Sequence, residues 1–273
     1  MSAPNAPKIL GLLTDFGVSD PYVGVMKAVA LTIAPDARLV DITHDIAPQD
    51  IEAGAWTLAA AWRYFPAGSA LLAVVDPGVG SARRAIAFAA DGRYFIGPDN
   101  GLFTRIFVQA TVAGCVSLTN PAYHLPNASV TFHGRDIFAP CAAHLLAGVE
   151  LGALGDEMDP ATLVRLAVPL ELRREGEALV GRVAHVDHFG NLISDIPLAS
   201  AESLMAPGVR VEIGGQTIAH MATHFAAGPT GVPVALRDSS GALAVAVRNG
   251  SAAAALGLSR GASVRVWSLR EGA

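Results

Sequence analysis

The sequence predicts an α/β protein: a mostly parallel N-terminal sheet with helices on both faces, followed by a smaller, antiparallel, barrel-like C-terminal domain. In the first half of the 273 residues, short apolar runs alternate with amphipathic stretches, as in a parallel sheet covered by helices. From about residue 168, short alternating runs are separated by Gly, Pro, Asn and Ser, which is typical of antiparallel strands. The predicted domains are residues 8–165 and 174–273.

The first domain contains apolar runs that are long enough for buried strands and stretches whose apolar side chains share one helical face. The predicted strands cover residues 8–13, 38–42 and 70–75, and the predicted helices cover 20–33, 50–64 and 134–147. Asp20 and Asp50 are expected to cap the first two helices, and Gly148 to end the third. In the second domain the predicted strands cover residues 177–187, 192–196, 209–213, 232–236, 243–247 and 263–267.

Composition limits the class of function. The formal charge of −5 predicts no nucleic-acid partner, because such a surface needs clustered Lys and Arg. Mean hydropathy is high, at +0.42, yet the longest uncharged stretch, between Arg105 and Arg135, contains prolines and asparagines that suit no membrane span. Residues 1–8 lack the apolar core of a signal peptide. We therefore expect a cytoplasmic protein that buries apolar surface between subunits.

Cys115 and Cys141 lie in apolar runs without metal-site spacing, which indicates buried thiols in a reducing compartment.

Aspartates follow three predicted strands, at or near the strand ends. Ligands of open parallel sheets bind at the carboxyl ends of the strands, although an aspartate there can equally be a helix cap or a turn former. Asp15 and Asp76 each follow a buried strand directly and precede a glycine-containing turn, whereas Asp45 lies a few residues beyond its strand. A carboxylate at such a place can accept two hydrogen bonds side by side, as a ribose diol requires.

Three further groups of residues have alternative interpretations. Arg83 and Arg84 follow the Asp76 turn, and we expect one of the two to be a solvated surface charge. His133 opens a predicted helix, whose positive end disfavours the imidazolium, but a lone histidine is often structural. His185 and Asp187 alternate on one strand and could bind zinc, or simply form a polar strand edge.

Taken in order, seven blocks of the chain resemble one family, the S-adenosylmethionine hydroxide adenosyltransferases (SAM hydrolases), which are relatives of the fluorinating and chlorinating adenosyl-halide synthases. The ordered combination covers nearly the whole chain. The blocks are LLTDFG at residues 12–17, DITHDI at 41–46, VVDPGVG at 74–80, GPDNG at 97–101, TFHGRD at 131–136, DHFGN at 187–191 and RNGS at 248–251.

The resemblance implies that water attacks C5′ of the ribose of S-adenosyl-L-methionine (SAM), giving adenosine and methionine without a metal or redox cofactor. It also implies a homotrimer, with each site between the N-terminal domain of one subunit and the C-terminal domain of its neighbour. The residues that engage the water are then Asp76, Arg83 and His133. The halogenating relatives carry a tyrosine where Asp76 stands, which favours water over halide.

The remaining roles also come from the resemblance. Asp15 holds the ribose hydroxyls, Asp187 pairs with the methionine ammonium, and Ser239 and Ser240 hold the methionine carboxylate, although the halogenases place an Arg where Ser240 stands.

The adenine is bound in a second group of positions. Phe189 and Phe225 flank the base and Asn191 hydrogen-bonds it, while backbone groups around Arg248 and Asn249 contact its edge.

Three alternatives stay open at the level of sequence. The first is an adenosyl-halide synthase that uses the same site. The second is a metal-dependent hydrolase that uses Asp15, His44, Asp76 and His133. The third is a sensor that binds SAM or a nucleoside without catalysis.

Overall fold

The computed structural model describes residues 8–167 and 173–268. The chain divides into two compact units, Met1–Ala167 and Val168–Ala273. Within the described ranges, no helix has both the length and the apolar character needed to cross a membrane.

The first unit contains seven strands and four α-helices in its described residues. In chain order the elements are β1 (Ile9–Thr14), α1 (Tyr22–Ile33), β2 (Arg38–Thr43), α2 (Ile51–Ala61), β3 (Ala70–Val74), β4 (Ala85–Ala90), β5 (Arg93–Pro98), α3 (Thr104–Gln109), β6 (Val112–Ser117), α4 (Ala139–Leu146) and β7 (Asp156–Glu157).

The seven strands form one sheet in the order β2-β1-β3-β5-β4-β6-β7. β1 pairs in parallel with β2 and β3, and β3 with β5, while β4 runs antiparallel between β5 and β6. The sheet is therefore mostly parallel, as predicted.

Helices cover both faces of this sheet, which confirms the prediction. Leu12 and Leu72 face a core formed with α1 and α4, whereas their chain neighbours Leu13 and Leu71 face a second core formed with α2 and α3. Because successive side chains of a strand point to opposite faces, a strand buried on both sides must be apolar throughout. This explains the uninterrupted apolar runs in the sequence.

Of the two aspartates predicted to cap helices, one does so in the structure. Asp50 caps α2 through a bond from the Ala53 N–H to its side chain. The prediction for Asp20 is wrong: the N-cap position of α1 is Pro21, which makes no side-chain cap bond, and Asp20 lies one residue before it. A proline fits the start of a helix because it lacks the N–H that would need a partner, so α1 begins without a capping carboxylate.

The third predicted helix has two parts. Gly134–Phe138 is a π-helical turn, and α4 continues from it to Leu146. Shorter 3₁₀ turns lie at Trp62–Tyr64, Pro121–Tyr123, Leu151–Leu154 and Pro160–Thr162.

The second unit is a nearly closed, barrel-like sheet. Its elements are β8 (Arg173–Glu175), β9 (Ala178–Val186), β10 (Leu192–Pro197), β11 (Arg210–Ile213), β12 (Gln216–Ile218), β13 (His220–Met221), β14 (Pro233–Arg237), β15 (Ala242–Val247), α5 (Ala252–Leu256) and β16 (Ser263–Trp267), with 3₁₀ turns at Glu202–Met205 and Phe225–Ala227.

The strands of this sheet follow the order β12-β11-β16-β9-β10-β15-β14-β13, and β8 pairs with β9. All neighbouring strands are antiparallel except β13 and β14. All six strands predicted for this domain are present.

Candidate active site

Two aspartates lie at the carboxyl edge of the first sheet. Thr14, the last residue of β1, is in register with Val74, the last residue of β3. Asp15 follows β1 directly and Asp76 lies two residues beyond β3. The parallel pairing thus brings both carboxylates to the edge at which ligands of such sheets bind.

The chain after Asp76 forms a tight turn that returns Arg83 to the same edge. The Val79 N–H donates to the Asp76 carbonyl, and the Ser81 N–H and hydroxyl both donate to the Gly78 carbonyl. Gly80 has a positive φ of 77°, and a Cβ there would lie 2.5 Å from the Val130 carbonyl oxygen. Glycine is therefore required for both conformation and space, and it seats this turn against the segment that leads to His133.

Arg83 joins Asp76 to His133. Its Nε donates to Asp76 Oδ1 at 3.0 Å, its Nη2 donates to Asp76 Oδ2 at 2.5 Å, and the same Nη2 lies 2.8 Å from His133 Nδ1. The side chains of Asp76 and Arg83 are only 4% and 9% exposed. The structure therefore brings the three predicted catalytic residues into one hydrogen-bonded cluster, with the buried guanidinium at its centre.

The loop before His133 is fixed by a buried carboxylate. Asp136, which is 2% exposed, accepts the Ser129 N–H at 2.8 Å and pairs with Arg135. Burial alone would raise the pKa of Asp136, but these bonds bring it below the ordinary value. Asp136 therefore supports the loop that carries His133, a larger role than the helix dipole alone would assign to it.

His133 is held in one tautomer. A guanidinium can only donate, so His133 Nδ1 must accept, and the neutral ring then carries its proton on Nε2. Burial and the neighbouring Arg83 charge lower the pKa of His133 below the ordinary histidine value. The imidazole is thus neutral at physiological pH and offers an Nε2–H donor.

The neighbouring arginine has a separate partner. Arg84 pairs with Asp99, whose side chain is 2% exposed, and also donates to the Thr162 carbonyl. Of the two arginines, Arg84 is the more exposed, at 37%, but it still forms an ion pair. Of the two arginines, only Arg83 bonds to Asp76 and His133.

Asp15 belongs to a turn that contacts the loop after β2. Its Oδ2 accepts the Gln49 N–H at 2.8 Å, and no described residue donates to its Oδ1. His44, from the same loop, lies 2.8 Å from Thr14 Oγ1. Sequence reasoning left His44 without a role beyond the metal alternative, because only the pairing of β1 with β2 reveals its contact.

In the second unit, the loop between β9 and β10 is organised by Asp187. Its Oδ1 accepts the N–H groups of Phe189 and Asn191, and its Oδ2 accepts the Asn191 side-chain amide. Gly190 packs closely against Ser251, since a Cβ on this glycine would lie 2.0 Å from the serine Oγ. The loop is therefore held by hydrogen bonds and close packing, and it leaves Phe189 74% exposed.

The same end of the second unit carries three more of the predicted residues. Arg248 donates to the Ala226 carbonyl, next to Phe225, which is 51% exposed. Asn249 has a positive φ of 60° in the turn that leads to Ser251. The structure thus collects the predicted adenine-binding positions, with two exposed aromatic rings, at one end of the barrel.

Ser239 and Ser240 lie elsewhere. They occupy the turn between β14 and β15, whereas Arg248 follows the far end of β15, so a six-residue strand of roughly 20 Å separates the two groups. The Ser240 hydroxyl is bonded to Asp238 at 2.7 Å. The structure therefore does not bring these serines together with the adenine-binding positions.

The four residues of the metal-site alternative do not converge. A guanidinium stands between Asp76 and His133, and its positive charge opposes a metal ion there. His44 faces Thr14 instead. Across residues 8–167 and 173–268, no three His, Cys, Asp or Glu side chains group as metal ligands.

Comparison with known proteins gives consistent matches across both units. The family models described as the SAM hydroxide adenosyltransferase N-terminal and C-terminal domains match residues 10–155 and 181–265. An (R)-S-adenosyl-L-methionine hydrolase of Thermus thermophilus is 44% identical over 85% of this chain and 89% of its own length. One of Salinispora tropica is 43% identical over 86% of this chain and 88% of its own length.

More distant relatives include a fluorinase of Actinoplanes sp. at 29% identity, over 70% of this chain and 72% of the fluorinase. Among solved structures, an uncharacterized conserved protein from Thermotoga maritima superposes with a TM-score of 0.87 at 36% identity. That match covers 94% of this chain and 99% of the other.

Proposed function

Because this chain belongs to the SAM hydroxide adenosyltransferase family, we propose that it hydrolyses SAM to adenosine and L-methionine by direct attack of water on the ribose C5′. The observation that carries the mechanism is the cluster in which Arg83 binds both Asp76 and His133. The catalytic assignment rests on that geometry, and the substrate rests on the names of the relatives.

The substrate defines what the enzyme must supply. C5′ is activated by the adjacent sulfonium, and the leaving group is a neutral thioether that needs no acid. Positioning a nucleophile in line with the breaking bond lowers a barrier by roughly 7–11 kcal/mol in well-oriented systems. We therefore propose that neither a metal nor a redox cofactor takes part.

Arg83 has donors left over for the reacting oxygen. Its Nε and Nη2 serve Asp76 and His133, while its Nη1 donates to no atom of the described residues. A guanidinium that is 9% exposed acts where water screens little, so it stabilises negative charge on the attacking oxygen effectively. Arg83 thus orients the oxygen and also holds the side chains of Asp76 and His133 in place.

The tautomer of His133 separates the roles of the two acceptors. Since His133 Nδ1 is bonded to Arg83 and Nε2 carries the proton, the histidine acts as a donor that orients the water. Asp76 is then the group that receives the proton. Asp76 takes this proton as the C–O bond forms, so the attacking oxygen keeps the partial negative charge that Arg83 stabilises.

The same carboxylate disfavours the halide alternative. A chloride placed against Asp76, which is 4% exposed, meets an anion in a poorly screened environment. Water meets an acceptor for its proton at that position. The cluster therefore favours water as the nucleophile.

The proposal assigns the nucleoside to Asp15 and to the second-unit residues. Exposed rings of Phe189 and Phe225 suit stacking against a base, and their exposure in one chain is consistent with sites at the subunit interfaces of a homotrimer. Asn191, Arg248 and Asn249 then contact the adenine. We assign the ammonium of methionine to Asp187. Ser239 and Ser240 lie at the other end of β15, out of reach of a carboxylate on the same carbon, so they are left out of the proposed site.

We also propose a cytoplasmic location. Both cysteines are free and buried. Burial raises the pKa of the Cys115 thiol to about 11 and that of Cys141 to about 12, so both stay protonated and unreactive. Such thiols are typical of a reducing compartment.

Isotope labelling tests the reaction. In ¹⁸O-water, we expect the label on the 5′ oxygen of adenosine, and unlabelled adenosine would refute attack by water at C5′. Asp76→Ala and His133→Ala are each expected to lose about 10²–10⁴-fold in turnover while SAM still binds. Wild-type turnover in either variant would remove that residue from the mechanism.

A further inference from the structure

The turn after β1 is tied to the loop after β2 at three points. The Gly17 N–H donates to the His44 carbonyl at 2.8 Å, the Gln49 N–H donates to Asp15 Oδ2 at 2.8 Å, and Thr14 Oγ1 lies 2.8 Å from His44 Nδ1. The Asp15 carboxylate is therefore placed by contacts with the second loop as well as by its own strand.

The Thr14 hydroxyl connects this contact to the backbone of Asp15. Thr14 is fully buried, and its Oγ1 accepts the Phe16 N–H at 3.2 Å. That bond spans Asp15, and an i to i+2 bond of this kind restricts the backbone of the residue it encloses. The direction of the Asp15 side chain thus depends on where the threonine hydroxyl is held.

His44 holds that hydroxyl, and Asp41 lies on the far side of the imidazole. His44 is 5% exposed, and its Nε2 is 3.0 Å from Asp41 Oδ1, at an angle outside hydrogen-bond geometry. The other carboxylate oxygen of Asp41, Oδ2, accepts a hydrogen bond from Lys27 Nζ at 2.6 Å. A carboxylate beside Nε2 favours the proton on that nitrogen, which leaves Nδ1 to accept from the threonine hydroxyl.

Within the described residues, none of these contacts involves a residue of the Asp76 cluster. An aliphatic side chain would fill a buried position at a strand end without needing polar partners. The polar groups of Thr14 and His44 instead run from Asp41 at the surface to the backbone around Asp15. These contacts therefore act together on the orientation of the Asp15 carboxylate.

We infer that Thr14, His44 and Asp41 are positioning residues that hold the Asp15 carboxylate in the orientation that binds the ribose hydroxyls of the substrate. The inference rests on the proposed function, because it requires a nucleoside at Asp15. It adds three residues that do not touch the substrate themselves.

Discrimination between adenosine and 2′-deoxyadenosine, measured by calorimetry, tests this without turnover. A hydrogen bond to a charged group corresponds to a preference of roughly 10- to 100-fold for adenosine in the wild type. Asp15→Ala sets the floor, with a ratio near one. In Thr14→Val and His44→Leu we expect the ratio to fall to within about threefold of that floor, since the carboxylate is no longer held. Asp41→Asn, at a half-exposed position, is expected to give an intermediate ratio in a folded protein.

Thr104→Val is the matched control. Thr104 is also fully buried, and its Oγ1 donates to the Gly101 carbonyl and accepts the Leu166 N–H. The variant loses comparable buried bonds without touching Asp15, so it is expected to lose stability and keep the wild-type ratio.

An unchanged ratio in Thr14→Val or, should that variant not fold, in Asp41→Asn overturns the inference. An equal fall in Thr104→Val also overturns it, because the ratio would then report stability. A wild-type chain that binds neither nucleoside overturns the proposed function itself.

Discussion

Replacing Arg83 by methionine removes every side-chain hydrogen bond that links Asp76 to His133 and leaves the Asp76 carboxylate buried without its cation. Arg84 offers a matched change one residue away, since it also pairs with a buried aspartate, Asp99. The two substitutions therefore remove similar ion pairs, but only one of them touches the proposed catalytic cluster.

The expected magnitudes follow from exposure. Removing one partner of a buried pair typically lowers the free energy of unfolding by about 3–5 kcal/mol, and Arg83 is 9% exposed. Arg84 is 37% exposed, so water compensates in part and the loss is about 1–3 kcal/mol. For turnover, losing a donor to a developing charge slows reactions by about 10²–10³-fold. We expect that loss in Arg83→Met and a rate near that of the wild type in Arg84→Met.

Urea unfolding gives the stabilities, and chromatography of adenosine in single turnovers gives the rates. Adding Asp76→Asn to Arg83→Met removes the buried charge, so most of the stability should return while turnover stays low. Equal turnover losses in the two single variants would show that general destabilisation explains both. Wild-type turnover in Arg83→Met would refute the central role of the guanidinium.

Three further predictions concern pH, assembly and nucleophile. The folded-state pKa of His133 is lowered, so the stability that its neutral form contributes is complete above the ordinary histidine pKa and is lost as the pH falls through the lowered value. We expect kcat/KM to fall in the same acidic range. An acid limb that keeps its wild-type midpoint in His133→Asn would contradict the assignment. If each site combines two subunits, trimers randomly co-assembled from Asp76→Ala and Asn191→Ala chains should regain about one quarter of the wild-type activity, whereas no recovery would exclude shared sites. Chloride should yield little 5′-chloro-5′-deoxyadenosine in assays by mass spectrometry, and efficient formation would establish the halide synthase alternative.

The sequence predicts the fold well where one rule decides the pattern. β1 and β3 are buried on both faces, so their apolar runs are continuous and unambiguous. The hairpin of β4 and β5 is not predicted, because β4 is rich in alanine and neither strand has a clear alternation of polar and apolar residues. Asp91 and Gly92, both at positive φ, form its turn, and an Asp-Gly pair is the signal that reveals such hairpins.

The site is less predictable from sequence, because its contacts cross the fold. Nothing local distinguishes Arg83 from Arg84, yet the folded chain directs one to Asp76 and the other to Asp99. The family resemblance resolves that choice through spacing alone. It includes His44 in the block at residues 41–46 without giving it a role, because the contact of His44 with Thr14, 30 residues away in sequence, depends on the pairing of β1 with β2.

The seating of Gly80 against the Val130 carbonyl has a consequence for how binding energy is used. The turn that carries Asp76 and the loop that carries His133 are in contact there with no room for a methyl group, so each limits the movement of the other. The charged groups around the nucleophile are consequently preassembled by the protein's own packing. Substrate affinity then need not be spent on ordering them, and the full interaction with the nucleoside is left to align C5′ with the incoming oxygen.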